Sequence, residues 1–139
     1  EWDKVSSTKP NSMGSNTGVT PIVAVDCEMV GVGPEGSRSM LARVAVINQE
    51  GNVLLDVFVK PKEKVVDFRT KFSGVRPADL IGPNVLELED VQARVAALLK
   101  GRVLVGHALE NDLSALLLDH PRKDVRDTAR YPPLMRSPA

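Results

Sequence analysis

Two acids one residue apart, Asp26 and Glu28, stand in the run IVAVDCE (22–28). The rest of that run is almost all apolar, the pattern of a buried central strand. Side chains at i and i+2 of a strand share a face. Two like charges held there repel each other and are costly to desolvate. A divalent cation removes both costs, and hard carboxylate oxygens suit Mg²⁺ or Mn²⁺. The competing reading of a lone D-x-E is a strand that ends at the surface. Cys27 points to the opposite face and reads as a small core residue without chemistry. A third acid, Asp112, lies in VGHALENDLSALLLD (105–119), near the start of a helix that follows a buried strand. That helix can carry it toward Asp26 and Glu28. Taken alone, Asp112 reads rather as a first-turn carboxylate facing the helix dipole. His107 and Asp112 fit an H-x(4)-D spacing, but they occupy the strand–helix unit where a second acidic motif is expected. A lone His after a strand is more often a structural hydrogen-bonding residue. His120, just before Pro121, reads as a helix end.

The elements that must position these residues follow from periodicity. Residues 22–28, 40–48, 53–60 and 102–107 read as strands, with 125–128 a possible last one. The turn 49–52, with Gly51, joins the second and third strands as a hairpin, so the sheet opens antiparallel. Residues 31–39 read as a loop, and 61–83, punctuated by Pro61, Pro77 and Pro83, as irregular. A helix over 86–100 places Leu88, Val91, Val95, Leu98 and Leu99 on one stripe, with Asn84 and Glu87 as a capping arrangement and Gly101 as its stop. A second helix over 108–120 turns Leu109, Leu113, Leu116 and Leu117 inward. A meander followed by strand–helix–strand units predicts an α/β domain, with a mixed sheet flanked by helices.

Length and composition fit one domain: 139 residues, 42% hydrophobic and 26% charged. No apolar run reaches membrane-spanning length, so no membrane role is expected. A single cysteine excludes an internal disulfide framework. Residues 1–20 read as a flexible polar leader, 21–130 as the folded domain and 131–139 as a tail. The first residue is Glu1 rather than Met, so the sequence reads as a fragment. Net charge is zero, with 18 basic and 18 acidic residues, and only its distribution points to a partner. Residues 60–76 hold six basic side chains against two acidic ones, and residues 122–136 five against two. Basic loops beside an acidic face suit a phosphate backbone.

The string VAVDCEMVGVGPEGSRSMLARVAVIN (23–48) closely resembles the first motif of the DEDDh 3′–5′ exonucleases, in their RNA exonuclease 4-like branch. FVKPKEKVVDFRTKFSGVRPADL (58–80), VLVGHALENDLSALLLDH (103–120) and VRDT (125–128) resemble the same branch in the same order. The resemblance implies a ribonuclease H-like fold. It implies two-metal hydrolysis of phosphodiesters by Mg²⁺ or Mn²⁺, releasing nucleoside monophosphates from the 3′ end of single-stranded RNA. It makes Asp26, Glu28 and Asp112 the metal-binding acids. It places Met29, Val30, Leu41, Ser73, Gly74, Val75, His107 and Asn111 around the terminal nucleotide. A role in ribosomal RNA processing, in the nucleus or nucleolus, comes with it. The family's third motif, H-x(4)-D on a later helix, does not occur after VRDT in these 139 residues. The C-terminal helices are therefore expected to be missing, metal affinity to be weak, and the chain alone to have little activity. A catalytically dead nucleic-acid-binding module and another ribonuclease H-like nuclease, such as an endonuclease, are the rival readings.

Overall fold

Val23, Val25 and Cys27 alternate with Ala24, Asp26 and Glu28 along β1 (Ile22–Val32), and that alternation divides the molecule. The first set is buried in the main hydrophobic core, and the two acids face away from it. The computed structural model describes residues 12–135. β2 (Arg38–Asn48), β3 (Val53–Phe58), β4 (Val65–Asp67), β5 (Val103–Gly106) and β6 (Val125–Asp127) complete one sheet around β1. The strand order is β3-β2-β1-β5-β6, with β4 paired to the far end of β1. β1, β2 and β3 run antiparallel, whereas β5 and β6 are parallel to β1. This is the mixed sheet that the sequence predicts.

α2 (Leu88–Leu99) buries Val91, Val95 and Leu99 in the main core, with Leu88 and Leu98 partly buried beside them. Its start differs from the expected cap. Glu87 takes the N-cap position without a side-chain capping bond, and Glu89 and Asp90 in the first turn complement the helix dipole instead. α3 (Leu109–Leu116) is shorter than the helix expected over 108–120. Leu117 takes left-handed backbone angles that end it, and its side chain, expected inward, is 74% exposed. Leu109 and Leu116 are the α3 leucines sealed in the core.

The loop expected over 31–39 narrows to 33–37, with strand on both sides. β1 runs on to Val32 and β2 begins at Arg38, because Gly31 lets the Gly36 carbonyl come so close that a side chain at position 31 would collide with it. The stretch 61–83, expected to be irregular, contains β4 and one turn of helix, α1 (Thr70–Ser73). β4 pairs with Gly31 and Val32 of β1. Around it a second, smaller core gathers Val30, Ala42, Val75 and Leu80. Residues 12–20 lie on the β2–β3 turn. Asn48 Nδ2 donates to the carbonyls of Asn16 and Gly18, Asn52 Nδ2 donates to Asn16, and Gly14 N–H donates to Asn52 Oδ1. Asn48 and Asn52 are buried, so these bonds satisfy amides that would otherwise be costly to bury. Trp2 and the rest of 1–11 lie outside the described residues.

Candidate active site

β5 pairs with β1 only over Ile22, Val23 and Ala24. Beyond Ala24 the β5 side of β1 is open, and α3 fills it, starting three residues after β5 ends. The turn between them is tight. A side chain at Gly106 would run into Leu109 and would lie against the Val25 carbonyl, and Ala108 adopts a left-handed conformation (φ 54°, ψ 48°). That geometry brings Asp112, in the first turn of α3, to the backbone of Cys27, whose N–H favours its ionised carboxylate. Three acids from two distant segments thus meet around residues 26–28.

Their protonation records the crowding. Burial, then the neighbouring Asp26 charge, pushes Glu28 up to about 7; Arg43 opposes this and Asp112 adds to it. Burial and Asp26 likewise push Asp112 up to about 7, against the Cys27 N–H. Burial also raises Asp26, with Arg43 and the Cys27 N–H opposing. Cys27, expected to be inert, is buried, and burial followed by the three carboxylates raises its thiol far above the range in which a thiolate forms.

Asp112 is only 6% exposed, and its Oδ2 is the one buried side-chain oxygen or nitrogen among the described residues without a hydrogen-bond partner. A native polar atom in that position calls for an explanation. Crowded, partly protonated carboxylates around an orphaned oxygen are the donor chemistry that a hard divalent cation takes. As the side chains stand, no group of three or more His, Cys, Asp or Glu among the described residues is closed around an ion position. The donor chemistry, carboxylate oxygens throughout, is of the hard type.

Arg43 was not picked out by motif reasoning. It stands directly across from Glu28 on β2 and forms a two-pronged pair with Asp56 on β3, at 2.8 Å for both bonds. The pair is largely buried, and the guanidinium lies over Phe58. The sequence did carry a signal, since the hairpin register puts residues 28, 43 and 58 side by side. Immediately after Glu28 the pairing shifts by one residue and Ala42 is passed over. Bulges of this kind occur beside active sites, where they re-aim side chains.

The other predicted site residues divide by burial. Val30 and Leu41 are sealed, in the smaller and the main core respectively. Ser73 is buried, its hydroxyl donating to the Phe68 carbonyl and accepting from the Val75 N–H. Val75 is also fully buried. Met29 is partly buried, Gly74 ends α1 in a left-handed conformation, and Asn111 is exposed one residue before Asp112. His107 is exposed, its Nδ1 3.0 Å from Thr128 Oγ1. Thr128 spends its one proton on the Gly106 carbonyl, so Nδ1 is the donor. His120 Nε2 is bound to the Arg102 carbonyl at 2.7 Å.

The basic segments are less free than their composition suggests. Lys60 and Lys62 pair with Glu87 and Glu89 at the start of α2, Arg38 pairs with Glu63, and Arg130 pairs with Glu110. Arg69 is turned back onto Ser39 and the Gly36 carbonyl.

A mixed sheet of this order, with acids on the central strand and a third brought by the following helix, is a ribonuclease H-like fold. The sequence profile of the family described as Exonuclease (RNase T) matches residues 23–129, and the chain belongs to that family. Within it, the chain is 57% identical over 116 residues to RNA exonuclease 4 of Homo sapiens, covering 84% of this chain and 27% of that protein. It is 45% identical over 136 residues to RNA exonuclease 4 of Saccharomyces cerevisiae, covering 98% and 44%. The chain thus spans less than half the length of these curated relatives. Among solved structures it superposes on the Saccharomyces cerevisiae Pan2 pseudoubiquitin hydrolase–RNA exonuclease module in complex with AAGGA RNA. That match has a TM-score of 0.72 and 27% identity, covering 88% of this chain and 24% of that one. The Neurospora crassa Pan2 catalytic unit shares the fold, with a TM-score of 0.73 at 24% identity, covering 96% and 24%.

Proposed function

We propose that the chain is the core of a divalent-cation-dependent 3′–5′ exoribonuclease that shortens single-stranded RNA to nucleoside monophosphates. One observation carries the reading: Asp26, Glu28 and Asp112 converge from β1 and α3, leaving a buried carboxylate oxygen of Asp112 unpartnered. Family membership supports it, as does the likeness to a module whose structure contains RNA.

Asp26, Glu28 and Asp112 would hold Mg²⁺ or Mn²⁺, the exposed Asp26 and half-buried Glu28 rotating toward the fixed Asp112. When bound, such cations stabilise the attacking and leaving oxygens of phosphodiester hydrolysis. Arg43 tempers the negative charge beside Glu28, so the acids can ionise when a cation arrives. Met29, Gly74, His107 and Asn111 retain accessible surface and would meet the terminal nucleotide. Val30, Leu41 and Ser73 would support that pocket from beneath. A base must take the proton from the attacking water. In the family's third motif a His does this. Of the two histidines here, His120 is tied to Arg102, and His107 offers a free Nε2. The 139 residues alone are expected to cleave slowly. By resemblance, the protein acts in RNA processing, on ribosomal RNA in the nucleus or nucleolus.

The test is digestion of 5′-labelled linear RNA and of a circular RNA of the same sequence, with Mg²⁺ or Mn²⁺, by the full-length protein and its Asp26→Ala variant. Stepwise shortening of the linear RNA alone, abolished in the variant, is expected. Cleavage of the circle would assign an endonuclease. Binding without cleavage by the full-length protein would assign a nucleic-acid-binding module.

A further inference from the structure

α3 carries Asp112 yet has no cap of its own. The residue before it, Ala108, has no side-chain acceptor and sits in a left-handed conformation that leaves the first N–H groups of the helix unsatisfied from within. They are satisfied from another strand. Asp127, the last residue of β6, accepts from the Ala108 N–H through Oδ1 and from the Leu109 N–H through Oδ2, both at 2.9 Å. Its Oδ1 also accepts from Ala129 N–H, which fixes the carboxylate in its own chain. The next residue, Thr128, donates to the Gly106 carbonyl and accepts from His107 Nδ1. The whole corner 106–109 is therefore gripped by two consecutive residues, the last of β6 and the one after it.

We propose that Asp127 is a positioning residue for the acidic site, setting Asp112 against β1 by capping α3 from the neighbouring strand. The geometry is more specific than a cap for stability alone. Residue 112 lies one helical turn beyond the capped amides, and the Gly106 corner rests on the carbonyl of Val25, next to Asp26. Loss of the carboxylate frees the start of α3 to rotate or fray. Asp112 then loses its fixed place beside Cys27. Partners one step removed from a metal ligand commonly change metal affinity 10–100-fold.

The inference rests on the proposed cation site, and the experiment separates the two. Mn²⁺ binding by the full chain is followed by electron paramagnetic resonance in the wild type and in Asp26→Asn, Asp127→Asn, Asp127→Ala and Asn52→Ala. Asn52, between β2 and β3 at the other edge of the sheet, serves as a stability control. Asp26-dependent Mn²⁺ binding is expected. It should weaken about 10-fold or more in Asp127→Ala and less in Asp127→Asn, which keeps one acceptor. Asn52→Ala should lower the melting temperature without changing Mn²⁺ affinity. Amide exchange at Ala108 and Leu109 in the wild type should slow on adding Mn²⁺, because coupling between cap and site is reciprocal. Unchanged Mn²⁺ affinity in a folded Asp127 variant, or unchanged exchange at those amides, overturns the positioning role. Mn²⁺ binding that survives Asp26→Asn overturns the site itself, and the role with it.

Discussion

Glu28 and Asp112 both titrate near neutrality, at about 7, because burial and the Asp26 charge disfavour their ionised forms. A carboxyl whose folded-state pKa lies above its unfolded value binds its proton more tightly in the fold. Its stabilising contribution is full below the unfolded pKa and is lost as the pH rises through the folded pKa. The metal-free chain should therefore melt at a lower temperature at pH 8 than at pH 5. Adding Mn²⁺ at pH 8 should recover the difference. Calorimetry in EDTA and in Mn²⁺ checks both. Glu28→Gln removes one of the repelling charges. It should raise the melting temperature in EDTA at pH 8 and abolish the Mn²⁺ response. Arg43 acts the other way. Arg43→Met leaves Asp56 largely buried without its partner, and breaking such a pair costs about 3–5 kcal/mol where both groups are fully buried. Denaturant titration should show a loss toward the lower end of that range, because both side chains keep some solvent contact.

At the scale of elements, the site depends on how β1, β5 and α3 are joined. Gly106→Val should prevent the close turn between β5 and α3, lowering stability and cation affinity together. Paired thermal melts and Mn²⁺ titrations check this. The acidic pair was legible in the sequence because the period of a strand fixes its faces, and β1 needed nothing further. Asp112 was legible only as a first-turn acid, since its approach to Cys27 depends on where β5 stops pairing. Leu117 fits the apolar stripe of α3, yet a left-handed residue ends the helix there and turns it outward. Arg43–Asp56 and the Asp127 cap join residues 13 and 18–19 positions apart. Neither leaves a local periodic trace. The strand extensions around Gly31 and the β4 pairing were hidden because the loop composition of 31–39 and 61–83 outweighed a close backbone approach that only the fold creates.

At the scale of the molecule, the sheet sets two cores beside acids on its central strand. The main core packs α2 and α3 on β1, β2 and β5, while the smaller one gathers around Val30 at the far part of β1. Asp26 and Glu28 thus stand on the strand that both cores share. No helix among the described residues is long and apolar enough to cross a membrane. Residues 12–20 add a polar strap across the β2–β3 turn. Asn48→Ala should unfasten it and leave buried acceptors and donors unpaired, costing about 1–3 kcal/mol by denaturant titration with the Mn²⁺ affinity preserved. We propose above that Asp26, Glu28 and Asp112 form one cation site. Anomalous scattering from crystals of the chain soaked in Mn²⁺ measures it most directly. An anomalous peak bonded to Asp112 and Asp26 is expected, at about 2 Å from their oxygens as for a hard cation on carboxylates. Saturating Mn²⁺ with no peak at Asp112, or with peaks only on other acids, would contradict it.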